Sequence, residues 1–206
     1  DLETPDFSAM LDSTNGIFCP TDVTSEEQVR LALQTAQESF GRPVDTVVNC
    51  AGIGLARKTI SKSRSDDQWR VHDQASFEKI LHVNVAGTFN VTRLAAEVMA
   101  QAANNQDANA ETIPDGVIVN TASIAAYDGQ IGQVAYSASK GAIVSMTLPL
   151  ARELAAQKIR ANAIAPGLFQ TPLLEGLPQK MQDELGASVP FPSRLGNPDE
   201  FAMLVQ

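Results

Sequence analysis

Tyr136 and Lys140 stand four residues apart in Tyr136-Ser137-Ala138-Ser139-Lys140. On a helix that spacing puts both side chains on one face. A phenol titrates near pH ~10 and is a poor base at neutrality. A close ammonium favours the phenolate, an attraction that partial desolvation strengthens, and bringing a phenol down by about three pH units takes ~4 kcal/mol. Such a pair could exchange a proton with a substrate oxygen, although the spacing alone would equally suit a surface Tyr and Lys. Ser123 precedes Tyr136 by thirteen residues. Its hydroxyl could hold the same oxygen, or serve an ordinary turn in Thr121-Ala122-Ser123. Asn84 interrupts an apolar run at His82-Val83-Asn84-Val85. Its amide competes for backbone hydrogen bonds inside a helix, and a partly exposed helix position would also account for it.

The elements that must position these residues follow from apolar periodicity. Residues 117–120 read as a buried strand ending just before Ser123, and ligands of open α/β sheets bind outside such strand ends. Residues 44–50 and 159–165 read as further strands, and 16–20 as a short buried one. A helix is predicted over 134–157, with Ile143, Met146, Leu150 and Leu154 on one side. A long helix is predicted over 76–102. Thr24 and Glu27 suggest a capping box for a helix whose face carries Val29, Leu33, Ala36 and Phe40 and which stops at Gly41. Shorter helices are predicted over 173–185 and from Asn197-Pro198. This alternation predicts an α/β architecture.

The chain has 206 residues, 44% hydrophobic and 19% charged, with a formal charge of -9. These values fit a globular chain with a packed core. The acidity argues against direct nucleic-acid binding, because phosphate contacts need basic surface. No apolar run approaches the ~18 residues of a membrane-spanning helix, so no membrane insertion is expected. Cys19 and Cys50 are too few for a disulfide framework, which points to a reducing compartment. Residues 56–73 and 101–115 are polar and read as surface insertions. The first sets Arg57, Lys58, Lys62, Arg64 and Arg70 against Asp66, Asp67 and Asp73. It is either a solvated loop or a basic lip for a phosphate-bearing substrate.

Asn49-Cys50-Ala51-Gly52 follows a strand with side chains small enough to let the backbone approach a ligand. Gly52-Ile53-Gly54 is not a dinucleotide fingerprint, because Arg57 stands where the third glycine belongs. No complete G-x-G-x-x-G occurs in the sequence. Taken together, Asn49-Cys50-Ala51-Gly52, Asn84, Ser123, Tyr136-x-x-x-Lys140 and Pro166-Gly167 resemble the classical short-chain dehydrogenase/reductase family in order and spacing. The likeness spans almost the whole chain.

The resemblance implies a Rossmann-like, doubly wound parallel sheet in three α/β/α layers, formed as a single domain over 1–206. The first strand, its glycine-rich turn and the C-terminal strand are lacking. With a start at Asp1 and not at Met and a helical run into Gln206, this leads us to expect a piece of a longer chain, whose 206 residues alone would bind NAD poorly. The resemblance also implies a catalytic set of Asn84, Ser123, Tyr136 and Lys140. Tyr136 would be the general acid/base and Ser123 would orient the substrate oxygen. Lys140 would lower the Tyr136 pKa and hold the nicotinamide ribose, and Asn84 would maintain a water-linked relay.

Cofactor contacts would come from Asp22 and Val23 beside the adenine, Cys50, Ala51 and Gly52 under the adenosine ribose, and Phe169 and Thr171 on the nicotinamide side. Asp1 resembles the acidic residue that accepts from the ribose 2′-OH, favouring NAD over NADP. Within the family, the likeness is greater to a branch acting on 3-hydroxyacyl-CoA thioesters. It implies a mitochondrial homotetramer, with a cytoplasmic homologue as the alternative. The tetramer would form through the two long helices, where Ala95, Ala96, Ala100, Gly141 and Ala142 permit close packing; ordinary packing within the domain would use the same residues. Alternative substrates are a hydroxysteroid, a small secondary alcohol or ketone, or an acyl-carrier-protein thioester. An alternative of another class is a non-catalytic scaffold subunit of an RNA-processing complex.

Overall fold

The computed structural model describes residues 16–104, 116–171, 174 and 176–206. Three strands, β1 (Thr46–Asn49), β4 (Gly116–Thr121) and β5 (Ile159–Ile164), form a parallel sheet in the order β1-β4-β5. Val47 pairs with Ile118, and Ile118 with Ala161. The central strand β4 is apolar on both sides, with Ile118 and Val119 both buried, as a parallel strand covered on two faces requires. Helices α1 (Glu26–Phe40), α3 (Thr88–Asn104) and α4 (Val134–Leu154) flank this sheet, α1 lying on α3. The core joins Ala95, Ala96 and Met99 of α3 to Ile118 and Ile159, with Leu33, Val44, Val47 and Leu154 around them. Ala95 and Ala96 therefore serve packing within the domain.

The predicted long helix is in fact three segments. Helix α2 (Gln74–Leu81) begins two residues early, because the Asp73 carboxylate accepts from Ser76 N at 2.8 Å and Ser76 Oγ at 2.7 Å. A π-helical turn, His82–Gly87, then separates α2 from α3. Asn84 is completely buried there, so the exposed-position reading does not hold. The turn presents its side chain to the end of β1 while Gly87 passes close to Val23.

Other boundaries shift for local reasons. Ser25, not Thr24, caps α1, accepting from Gln28 N at 3.3 Å. The Thr24 hydroxyl is already committed to Asp22 Oδ1 at 2.7 Å. Residues 16–20 have no ladder partner among the described residues and form no strand, and Ile17 is exposed. Residues 56–73 are not a plain loop. They contain an antiparallel hairpin of β2 (Ile60–Lys62) and β3 (Trp69–Val71). Its turn is closed by Lys62–Asp67 and Arg70–Asp66 ion pairs. Residues 105–115, most of the second polar stretch, lie outside the described residues.

Helix α5 (Gln179–Ala187) starts later than predicted, after Pro178. Helix α6 (Pro198–Val205) starts where predicted, with Asn197 and Glu200 forming a capping box. Before α6, Gly196 pairs with the Leu168–Gln170 stretch through Gly196 N to Leu168 O and Gln170 N to Gly196 O, both 2.8 Å.

Gly87 has no room for a side chain, since a Cβ there would stand 2.6 Å from Val23 Cγ2. Gly87→Ala is expected to lower stability by about 1–3 kcal/mol, the usual cost of overpacking, read as an earlier urea midpoint. An unchanged midpoint would contradict the close packing of the π turn on Val23.

Candidate active site

The chemistry-bearing residues gather at the C-terminal end of the sheet. Strand β4 ends at Thr121, and its pairing with β5 carries on one step through Ala122 N to Ile164 O at 2.8 Å. Ser123 is buried and caps a short 3₁₀ turn, Ile124–Ala126, its Oγ accepting from Ala125 N at 3.1 Å. Ile124 N donates to Pro166 O at 3.0 Å, tying this turn to the segment after β5.

Tyr136 lies in the first turn of α4, half-buried, with Lys140 one turn on. Lys140 is only 6% exposed. Its Nζ donates to Thr121 O at 2.7 Å and stands 5.7 Å from the centre of the Tyr136 ring. Burial pushes the Lys140 ammonium down to about 8, a shift opposed in part by Cys50. The strand end and the helix thus hold one poorly hydrated cation beside one phenol. An ammonium carries three donors, so a second acceptor can be served without breaking the Thr121 contact.

Asn84 approaches the same place from the π turn. Its Oδ1 accepts from Ile53 N at 2.8 Å, and its Nδ2 donates to Ile53 O at 2.9 Å and to Ser139 Oγ at 3.0 Å. The stretch after β1 is thereby fixed over Asn84 and Lys140. A Cβ at Gly52 would stand 3.3 Å from Asn84 Oδ1 and 3.8 Å from Lys140 Nζ. Cys50, Ala51 and Gly52 are exposed along this stretch, and Cys50 Sγ accepts from Thr121 Oγ1 at 3.6 Å. Behind it, Asn49 Nδ2 donates to Asn120 Oδ1 at 2.8 Å and to Thr92 Oγ1 at 3.2 Å, joining β1 to β4 and α3.

Asp22 and Val23 form the loop into α1. The Asp22 carboxylate accepts from Thr24 N and Thr24 Oγ1, and these bonds hold its pKa below the usual value. Val23 O accepts from Asn90 Nδ2 at 2.9 Å. Phe169 stands edge-on to Phe201 at 6.3 Å, and Thr171 is half-buried.

The structure thus brings Asn84, Gly52, Tyr136 and Lys140 into one cluster. It puts Ser123 at the same strand end, bonded to Ala125 N and not to Tyr136. Phe169 and Thr171 sit on the separate segment after β5, and Asp1 lies outside the described residues. Sequence reasoning overlooked Ser139, fully buried, and the backbone acceptors Thr121 and Ile53. The signal for Ser139 was present: a Ser within a helix can bond back to a carbonyl one turn earlier. Backbone acceptors carry no such signal.

A dinucleotide needs open backbone, small side chains and fixed donors, and this cluster supplies them. Cys50–Gly52 are open and small, and Lys140 has donors to spare; both fit that group. Residues 7–182 match the family model described as short chain dehydrogenase, and the chain belongs to that family. It is 54% identical to the rat 3-hydroxyacyl-CoA dehydrogenase type-2 over 192 residues, 93% of this chain and 70% of the rat protein. The crystal structure of 3-hydroxyacyl-CoA dehydrogenase type-2 from Mycobacterium avium matches 100% of this chain and 76% of that one, with a TM-score of 0.82 and 35% identity. ElxO with NADP bound matches 97% and 74%, with a TM-score of 0.75 and 27% identity. The protein is an oxidoreductase of the nicotinamide-using class. Among the described residues no helix is long and apolar enough to cross a membrane.

The buried Lys140 has a consequence for stability. Its folded pKa of about 8 lies below the ordinary 10.5, so the unfolded chain binds the proton more tightly. Below pH 8 both states are protonated and the burial penalty is complete. It is relieved as pH rises from 8 to 10.5, by on the order of 3 kcal/mol. Lys140→Met is expected to lack this gain in urea titrations compared at pH 7.5 and pH 10. The same pH dependence in both proteins would contradict a desolvated ammonium.

Proposed function

We propose that the protein is an NAD-dependent 3-hydroxyacyl-CoA dehydrogenase, forming one domain of this family, with Tyr136 as general acid/base. The observation that carries this reading is the Lys140 ammonium, held almost dry 5.7 Å from the Tyr136 ring at the open end of the sheet. When bound, the nicotinamide supplies the hydride-accepting and hydride-donating chemistry that no side chain has. In the oxidative direction Tyr136 Oη takes the hydroxyl proton of the substrate, and in the reductive direction it returns it. The Lys140 ammonium stands beside the Tyr136 ring and offers further N–H groups to cofactor hydroxyls. Ser123 Oγ donates to the substrate oxygen, most strongly as charge develops on it. Asn84 fixes the wall over the site through Ile53. Asp22, Val23, Cys50, Ala51 and Gly52 would hold the adenosine half, with Phe169 and Thr171 on the nicotinamide side. Preference for NAD over NADP rests on Asp1 and the carboxylate's repulsion of a 2′-phosphate.

The thioester substrate is supported by the relatives named above and by the hairpin. Lys62 and Arg70 are engaged with Asp67 and Asp66, so a lip for the CoA phosphates falls to Arg57, Lys58 and Arg64. Arg57 is anchored by its backbone, with Arg57 N donating to Gly132 O at 2.9 Å just before α4. A homotetramer through α3 and α4 is supported by exposed Phe89, Val134 and Leu148 and by open space around Gly141. A mitochondrial location is proposed on the resemblance to that branch of the family.

Tyr136→Phe is expected to lower kcat by at least about a hundredfold with an unchanged circular dichroism spectrum; retained turnover would refute the mechanism. Neutralising Arg57, Lys58 and Arg64 together is expected to raise KM for a CoA thioester about tenfold, the scale of a few exposed ion pairs, while KM for a small ketone holds. Equal effects on both would rule out the lip.

A further inference from the structure

We infer that Ser139 is a positioning residue that sets the Tyr136 turn against the wall of the cofactor cleft, an inference that rests on Tyr136 acting as the acid/base. Its hydroxyl has two partners, and the direction of both bonds is fixed. Asn84 Oδ1 must be the oxygen of its amide, because it accepts from Ile53 N at 2.8 Å. Asn84 Nδ2 spends one hydrogen on Ile53 O at 2.9 Å. Its other hydrogen meets Ser139 Oγ at 3.0 Å. Ser139 is therefore an acceptor toward Asn84, which leaves its own proton for Tyr136 O, 2.7 Å away.

The result is a one-way chain from the Gly52–Ile53 wall through Asn84 and Ser139 to the backbone of Tyr136. It links three distant parts of the sequence, and Asn84 and Ser139 are both completely buried. No water can take the place of Ser139 without room being made. Without its hydroxyl, one buried Asn84 N–H loses its acceptor, and the wall and the Tyr136 turn are no longer held in common register. Proton transfer tolerates only about 0.5 Å of misplacement. Ser139 is fully buried, with its hydroxyl engaged by Asn84 and Tyr136 O, so its loss acts on kcat and spares binding.

The test compares Ser139→Ala, Ser139→Thr and Tyr136→Phe in steady-state kinetics with acetoacetyl-CoA and NADH. Ser139→Ala is expected to lower kcat about tenfold with both KM values within about twofold. Ser139→Thr, which keeps the hydroxyl, is expected to recover most of that loss. Wild-type kcat in Ser139→Ala, or a loss confined to KM or to thermal stability, overturns the inference. Should Ser139→Ala not fold, the same split is read in Ser139→Cys, whose weak thiol donor is expected to give a smaller kcat loss at unchanged KM; wild-type kcat there overturns it too. An active Tyr136→Phe would bring down the acid/base reading itself. An inactive Tyr136→Phe beside an unaffected Ser139→Ala would bring down the role of Ser139 alone.

Discussion

A lysine ammonium buried at the end of a parallel sheet is costly to keep, and much of this structure arranges its surroundings. Lys140 gives up most of its water and receives one backbone carbonyl, that of Thr121, in return. That exchange needs β4 to end at a fixed height and α4 to begin at a fixed angle beside it. The pairing of β4 with β5 runs to Ala122, and the bond from Ile124 to Pro166 continues it past the strand ends. The core of Ile118, Ile159, Ala95, Ala96 and Met99 then keeps the strands and α3 in place below. A cation held this way is poorly screened, and the Tyr136 ring stands 5.7 Å from it.

The π turn is the second requirement. A regular helix through residues 82–87 would bring neither Asn84 to Ile53 nor Gly87 to Val23 in this way. The extra residue in the turn spends some backbone order to direct one amide inward, a recurrent use of π geometry near functional sites. Asn84 repays it by saturating its side chain on Ile53 and Ser139. The stretch after β1, which carries the small residues Cys50, Ala51 and Gly52, is thereby held from below and left open above. The loop at Asp22 and Val23 is held against the same region by Asn90 and Gly87.

The strands at 44–50, 117–120 and 159–165 and the helix at 134–157 were legible because apolar periodicity reports burial directly. Tyr136, Lys140, Ser123 and Asn84 were legible because side-chain chemistry at fixed spacing survives translation into sequence. The break in the long helix was not, since apolar residues recur at helical spacing along residues 76–102 and π geometry leaves no compositional mark. Asn84 was visible as an oddity, but its burial depended on Ile53, thirty-one residues away. The cap at Ser25 was missed because Thr24 was claimed by Asp22, a tertiary choice between two adequate hydroxyls. The hairpin at 60–71 was read as polar because its apolar residues, Ile60, Trp69 and Val71, are few and remain exposed.

The central claim is that this arrangement reduces a thioester-activated ketone at the expense of NADH. The direct measurement is the loss of absorbance at 340 nm when the protein meets acetoacetyl-CoA with NADH, set against NADPH. Fast consumption of NADH, with NADPH slower by about a hundredfold or more, the scale set by an unpaired charge against a 2′-phosphate, is the result expected. A folded protein that binds NADH yet leaves acetoacetyl-CoA untouched would contradict the claim.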